Sequence, residues 1–171
     1  VLDQIVKQFY QSLKLSRSEG ERKTYDLFLS HKQNDVNPEL HSRMKDLAKL
    51  VNEHLTSRHK MRCFLDTDFN GMSGMTSWNN LPNLVACSSS IVVLLSENFV
   101  ESPWCVLELL SAILYKRPII FVKISKSFKY VSLRKQLVVI GFPFVDALDQ
   151  YSVEIDYNEI YFGAAMDKVV E

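Results

Sequence analysis

Ile91 to Leu95 is an unbroken apolar run, rich in β-branched residues and too short for an ordinary helix, so it predicts a strand buried on both faces. The polar stretch Ser96 to Glu101 interrupts it, and a helix start follows. Ser102 is a good N-cap, Pro103 suits the first helical position because its missing N–H would be orphaned there anyway, and Trp104 to Tyr115 carries the helix. Trp104 and Glu108 fall one turn apart on one face, while Leu109, Leu110, Ile113 and Leu114 cover most of the rest. The pattern describes a largely buried helix with a carboxylate and an indole near its N-terminal end, just past the C-terminal end of a central strand. In open α/β sheets that edge is where ligands bind.

Elsewhere the same alternation recurs. Val1 to Leu15 has apolar residues at helical spacing and predicts an amphipathic helix, which packs on the body or self-associates, and Ser16 to Lys23 reads as a linker. We place residues 1–24 as this appendage and residues 25–171 as one domain. Tyr25 to Ser30 predicts the first strand, followed by the polar run His31 to Asn37. Pro38 to Arg58 predicts a crossover helix, Met61 to Leu65 a second strand, and Asp66 to Gly74 a loop with the glycines and acid or amide residues that unusual backbone angles favour. A short helix is expected over Thr76 to Cys87, kinked at Pro82 or starting late, near Asn80. Pro118 to Ile124 predicts a fourth strand; Leu133 to Ile140 suits helix or strand; Phe142 to Val145 reads as the last strand and Ser152 to Glu171 as a terminal helix. Strands alternating with crossover-length connections imply a parallel sheet with helices on both faces.

At 171 residues one domain can bury a sizeable core. Twenty basic and twenty acidic residues cancel, which gives no electrostatic case for nucleic acid or an anionic membrane. Cys63, Cys87 and Cys105 lie in apolar segments without CxxC spacing, a pattern of buried thiols in a reducing compartment. No apolar run reaches a membrane span, no signal peptide opens the chain and no Asn-x-Ser/Thr sequon occurs, so a cytoplasmic domain is expected. The chain opens on Val1, as an excised segment of a longer protein would. GxGxxG, GxxxxGK[ST] and GxSxG are missing, and His54 and His59 have no third ligand near them in sequence. No metal site and no bound cofactor are expected.

YDLFLSH at the first strand, CFLD with its glycine-containing loop at the second, and SSSIVVLLSENFVESPWCVLEL at the third together resemble a Toll/interleukin-1 receptor (TIR) domain. The most specific part is Ser102, Trp104, Cys105, Glu108 and Leu109; the similarity covers about Tyr25 to Lys168. It implies a five-stranded parallel sheet of flavodoxin-like order 2-1-3-4-5, and it makes Asp66 to Gly74 the loop used in domain–domain contacts. One class of the family cleaves NAD+ between nicotinamide and ribose; another is a scaffold for homotypic assembly. The catalytic glutamate of the first class matches Glu108, although many scaffold members keep a glutamate there. Two departures from the receptor pattern favour the NAD-cleaving class: Leu65 to Gly71 replaces the RDxxPG loop, and no Phe-Trp pair stands near the C-terminus. Leu107 and Lys32, where some enzymes have an aromatic and an arginine, point the other way.

By this resemblance Glu108 is the catalytic residue, and Ser30, His31, Lys32, Asp66, Phe69 and Trp104 meet the dinucleotide, which is a substrate. The chemistry suits a single carboxylate, because nicotinamide leaves as a neutral ring without a general acid and the cationic ribose needs only electrostatic stabilisation. Trp104 can stack on a flat ring, and Ser30, His31 and Lys32 can meet phosphate or ribose. Each has a plainer alternative: Trp104 as core, His31 and Lys32 as solvated loop, Phe69 as an interface residue. The expected partners are NAD+ and other TIR domains. A non-catalytic scaffold, or a module that holds NAD+ without turning it over, are the competing readings.

Overall fold

The computed structural model describes residues 24–32, 38–65, 81–124 and 128–156. Its centre is β3 (Ser88–Leu95), the run that the apolar pattern singles out, with Ile91 to Leu95 fully buried. β1 (Tyr25–Ser30) pairs with it in parallel on one side and β4 (Ile119–Lys123) on the other. β2 (Cys63–Leu65) and β5 (Ser152–Asp156) complete the sheet in the order β2-β1-β3-β4-β5, with every pairing parallel. Parallel pairing needs a crossover between successive strands. These are α1 (Pro38–His59), α2 (Leu81–Ala86), α3 (Pro103–Leu114) and the pair α4 (Tyr130–Val139) and α5 (Val145–Tyr151).

The pleat divides the core. Phe28, Ile91, Val93, Leu95, Ile119 and Phe121 face one way, into a cluster closed by α2, α3, α4 and α5. Leu27, Leu29, Val92, Leu94 and Val122 face the other way, where Met44, Leu47, Ala48, Val51 and Leu55 of α1 cover them. Alternate residues of one strand thus serve opposite cores, which is why β3 shows no polar alternation.

The order 2-1-3-4-5 and the helices on both faces agree with expectation, and Leu133 to Ile140 resolves as helix through α4, which ends at Val139. α2 starts late, at Leu81, with Pro82 in its first turn where no backbone donor is lost. Two expectations are corrected. Phe142 to Val145 is not the last strand: Gly141 and Phe144 both take left-handed backbone angles, φ 72° and 68°, and turn the chain between α4 and α5. Phe142 is apolar because it plugs the core from that turn. The last strand is β5, so the span from Ser152 opens as strand, not helix. Of Ser152 to Ile155 it buries Ile155 alone, in keeping with its place at the edge of the sheet. The helix expected over Val1 to Leu15, the linker after it, the loop Asp66 to Gly74 and residues 157–171 lie outside the described residues. The cysteines are free thiols, Cys105 buried and Cys63 and Cys87 half-buried.

Candidate active site

Two chain segments meet at the carboxyl edge of the sheet. The first is the end of β1, where Ser30 follows Phe28 on the face that looks toward α3. Ser30, His31 and Lys32 are all buried, so the solvated-loop alternative does not hold for His31 and Lys32. The second is the start of α3. A short 3-10 turn, Phe99–Glu101, leads into it, and Phe99 is fully buried and fixes that turn to the core. Ser102 then caps α3, its side chain accepting from the Cys105 backbone N–H at 3.4 Å, and Pro103 occupies the first helical position.

This geometry brings Glu108 over the end of β1. Glu108 is only 7% exposed, on a helix buried from Cys105 to Ile113. A carboxylate so placed needs a donor. Ser30 supplies one: its hydroxyl donates to Glu108 Oε2 across 78 residues of sequence. Lys32 Nζ donates to Glu101 Oε2 at 2.8 Å, tying the end of β1 to the 3-10 turn. Cys105 lies between these groups. Burial pushes its thiol well up, the nearby Glu108 carboxylate adds to that, and Ser102, Lys32 and Ser30 act in the opposite sense. Burial and the neighbouring carboxylate thus favour the neutral thiol at Cys105.

Trp104 stands one turn before Glu108, half-buried and packed against the α3-side core. Part of the ring belongs to the core and part faces outward. Of the residues the sequence proposes, the fold thus gathers Ser30, His31, Lys32, Trp104 and Glu108 at one edge, while Asp66 and Phe69 lie outside the described residues. Glu101 was missed, because nothing in the sequence couples it to a lysine 69 positions earlier. Among the described residues no three His, Cys, Asp or Glu side chains are placed to hold a metal ion, and no helix is long and apolar enough to cross a membrane.

A doubly wound parallel domain with a buried carboxylate at its carboxyl edge is the class that fold and site define. Comparison makes it specific: the TIR domain family model (TIR_2) matches residues 28–153. The chain belongs to the TIR domain family. It is 31% identical over 100 residues to the Toll-like receptor 4 of Pinctada imbricata, a match covering 58% of this chain and 10% of that receptor. Among solved structures it resembles the TIR domains of the activated Roq1 resistosome, which directly recognizes the pathogen effector XopQ (TM-score 0.55, 20% identity, 86% of this chain and 98% of that one). It also resembles the TIR domain of the Toll-related receptor TRR-2 from Hydra magnipapillata (TM-score 0.53, 16% identity, 86% and 95%). At these identities the two structures speak to the fold.

Proposed function

We propose that this TIR domain hydrolyses NAD+, releasing nicotinamide, with or without cyclisation of the ADP-ribose, and that it does so in the cytoplasm when copies assemble during immune or cell-death signalling. The observation that carries the reading is Glu108, a buried carboxylate held by the Ser30 hydroxyl at the sheet's carboxyl edge. A negative charge kept in a poorly hydrated site is poorly stabilised until a cation arrives. The ribose C1′ becomes that cation as its bond to the pyridinium nitrogen breaks, the bonding pair returning to the ring to give neutral nicotinamide. Water then forms the new C1′–O bond and gives up a proton to solvent; in a cyclisation a nitrogen of the adenine takes the place of water. Ser30 keeps Glu108 aimed, so little reorganisation is needed at the moment of charge development.

One observation favours a second reading. The relative at 31% identity is named a Toll-like receptor, which suits a non-catalytic scaffold acting through TIR–TIR contacts. Incubating the domain with NAD+ at high protein concentration and separating the products by liquid chromatography decides between them. Release of nicotinamide that steepens with protein concentration is expected. A domain that stays inert at every concentration, while sedimenting as an assembly, is a scaffold.

A further inference from the structure

The ion pair between Lys32 and Glu101 is lopsided. The lysine side chain is 6% exposed and the glutamate side chain 60%. A buried ammonium is costly to leave without a counter-charge, whereas an exposed carboxylate returns to water easily. Phe99 is buried at the start of the 3-10 turn, while the Glu101 side chain at its end stands mostly in water. The arrangement is therefore one in which the cation stays and the anion can be exchanged. It lies at the same edge as Glu108 and Ser30, the residues to which we assign the ribose chemistry.

We infer that Glu101 is a competitor for the anionic part of the substrate: it occupies the Lys32 ammonium in the empty domain and yields it to the diphosphate of an incoming dinucleotide. The inference rests on the proposed glycohydrolase reading for the identity of the ligand, and on the Lys32–Glu101 geometry for the exchange. Replacement of one carboxylate by one diphosphate oxygen keeps the buried ammonium paired throughout. The swap costs little, because the ammonium keeps an anionic partner and the displaced carboxylate, already mostly exposed, returns to water. Glu101 thereby sets substrate affinity without touching the bond that breaks. A carboxylate in the seat also favours ligands that carry a stronger anion over uncharged nucleosides.

The test is a titration of the parent, Glu101→Gln, Lys32→Gln and the double variant with inorganic pyrophosphate by isothermal calorimetry, run beside nicotinamide release from NAD+. Glu101→Gln is expected to bind pyrophosphate more tightly and to lower KM by up to about fivefold with kcat unchanged, and Lys32→Gln is expected to abolish that gain. Equal binding by the parent and Glu101→Gln overturns the inference, and so does a gain that survives in the double variant, which marks a general charge effect. If Glu101→Gln does not fold, Glu101→Asp withdraws the carboxylate while keeping its charge and is read in the same titration. A domain that releases no nicotinamide yet shows the Lys32-dependent gain sinks the glycohydrolase reading and keeps the anion seat. A domain that turns over NAD+ with KM unmoved by Glu101→Gln does the reverse.

Discussion

Glu108 and Ser30 make separable predictions at the scale of single residues. Glu108→Gln preserves shape and accepts the Ser30 hydrogen bond through its amide oxygen, so folding survives. It removes the charge, and nicotinamide release is expected to fall about a hundredfold or more, measured as kcat. A folded Glu108→Gln domain that releases nicotinamide at the parent's rate takes the catalytic role away from this residue. Ser30→Ala acts through Glu108 instead. Loss of a hydrogen bond to a charged group is expected to lower kcat about tenfold, with KM little changed and Ser30→Thr restoring most of the rate. The thiols supply a check on the folded environment. Burial raises Cys63 to about 11 and pushes Cys105 well above its ordinary value. Both are expected to resist iodoacetamide at neutral pH until denaturant is added, as read by peptide mass spectrometry. What the sequence made legible here was the helix-borne carboxylate and indole, since an N-cap, a proline and a four-residue spacing have local causes. The burial of Ser30 to Lys32 and the Lys32–Glu101 pair arise only when β1 meets the turn before α3, and no local pattern encodes that.

Between elements, Asp26 ties the start of β1 to the segment entering β2. Its carboxylate accepts from the Arg62 backbone N–H at 2.8 Å and from the Arg62 guanidinium at 3.1 Å. These hydrogen bonds hold Asp26 below its ordinary value of 3.8. The folded chain therefore binds fewer protons here than the unfolded chain as the solution is acidified, and acid favours unfolding. The contribution is complete above 3.8 and disappears as pH falls through the lower folded value. Asp26→Asn removes that dependence. Urea midpoints at about pH 5 and about pH 3 are expected to lie closer together in Asp26→Asn than in the parent. An equal separation in both leaves Asp26 no part in acid sensitivity. The C-terminal elements show the limit of pattern reading at this scale. Phe142 to Val145 is apolar enough for a strand, but the left-handed angles at Gly141 and Phe144 make it a turn, and backbone handedness at a non-glycine such as Phe144 leaves no mark in hydrophobic periodicity. β5 hides for the opposite reason: as an edge strand it buries Ile155 and leaves Val153 and Glu154 outside. Glu154 then accepts the Tyr130 backbone N–H at 2.5 Å, capping α4 from the sheet edge where Lys129 provides no side-chain cap.

Across the whole molecule, β3 is the shared wall of two cores, and stability and chemistry can be separated by choosing the side. Leu94 points into the α1 side, whereas Leu109 lies in the α3 side next to Glu108. Both are fully buried, so Leu94→Ala and Leu109→Ala are each expected to cost about 2–5 kcal/mol. For a domain of this size each kcal/mol lowers the melting temperature by about 2–4 °C. Because alternate residues of one strand serve both cores, neither side is expected to melt alone. Circular dichroism and tryptophan fluorescence should report one coincident transition in each variant, and a split transition means that the faces unfold independently. Catalysis is expected to respond asymmetrically. Well below the melting temperature, Leu94→Ala opens its cavity on the side of the sheet away from the Ser30–Glu108 pair and keeps the parent's nicotinamide release per folded molecule. Leu109→Ala opens a cavity in the core on which the helix carrying Glu108 packs and is expected to lose rate beyond its loss of stability, since a carboxylate displaced by a fraction of an ångström no longer meets the developing cation. If Leu94→Ala loses turnover as fully as Leu109→Ala while remaining folded, the chemistry depends on the fixed spacing of the whole sheet, and the α3 side has no special claim to it.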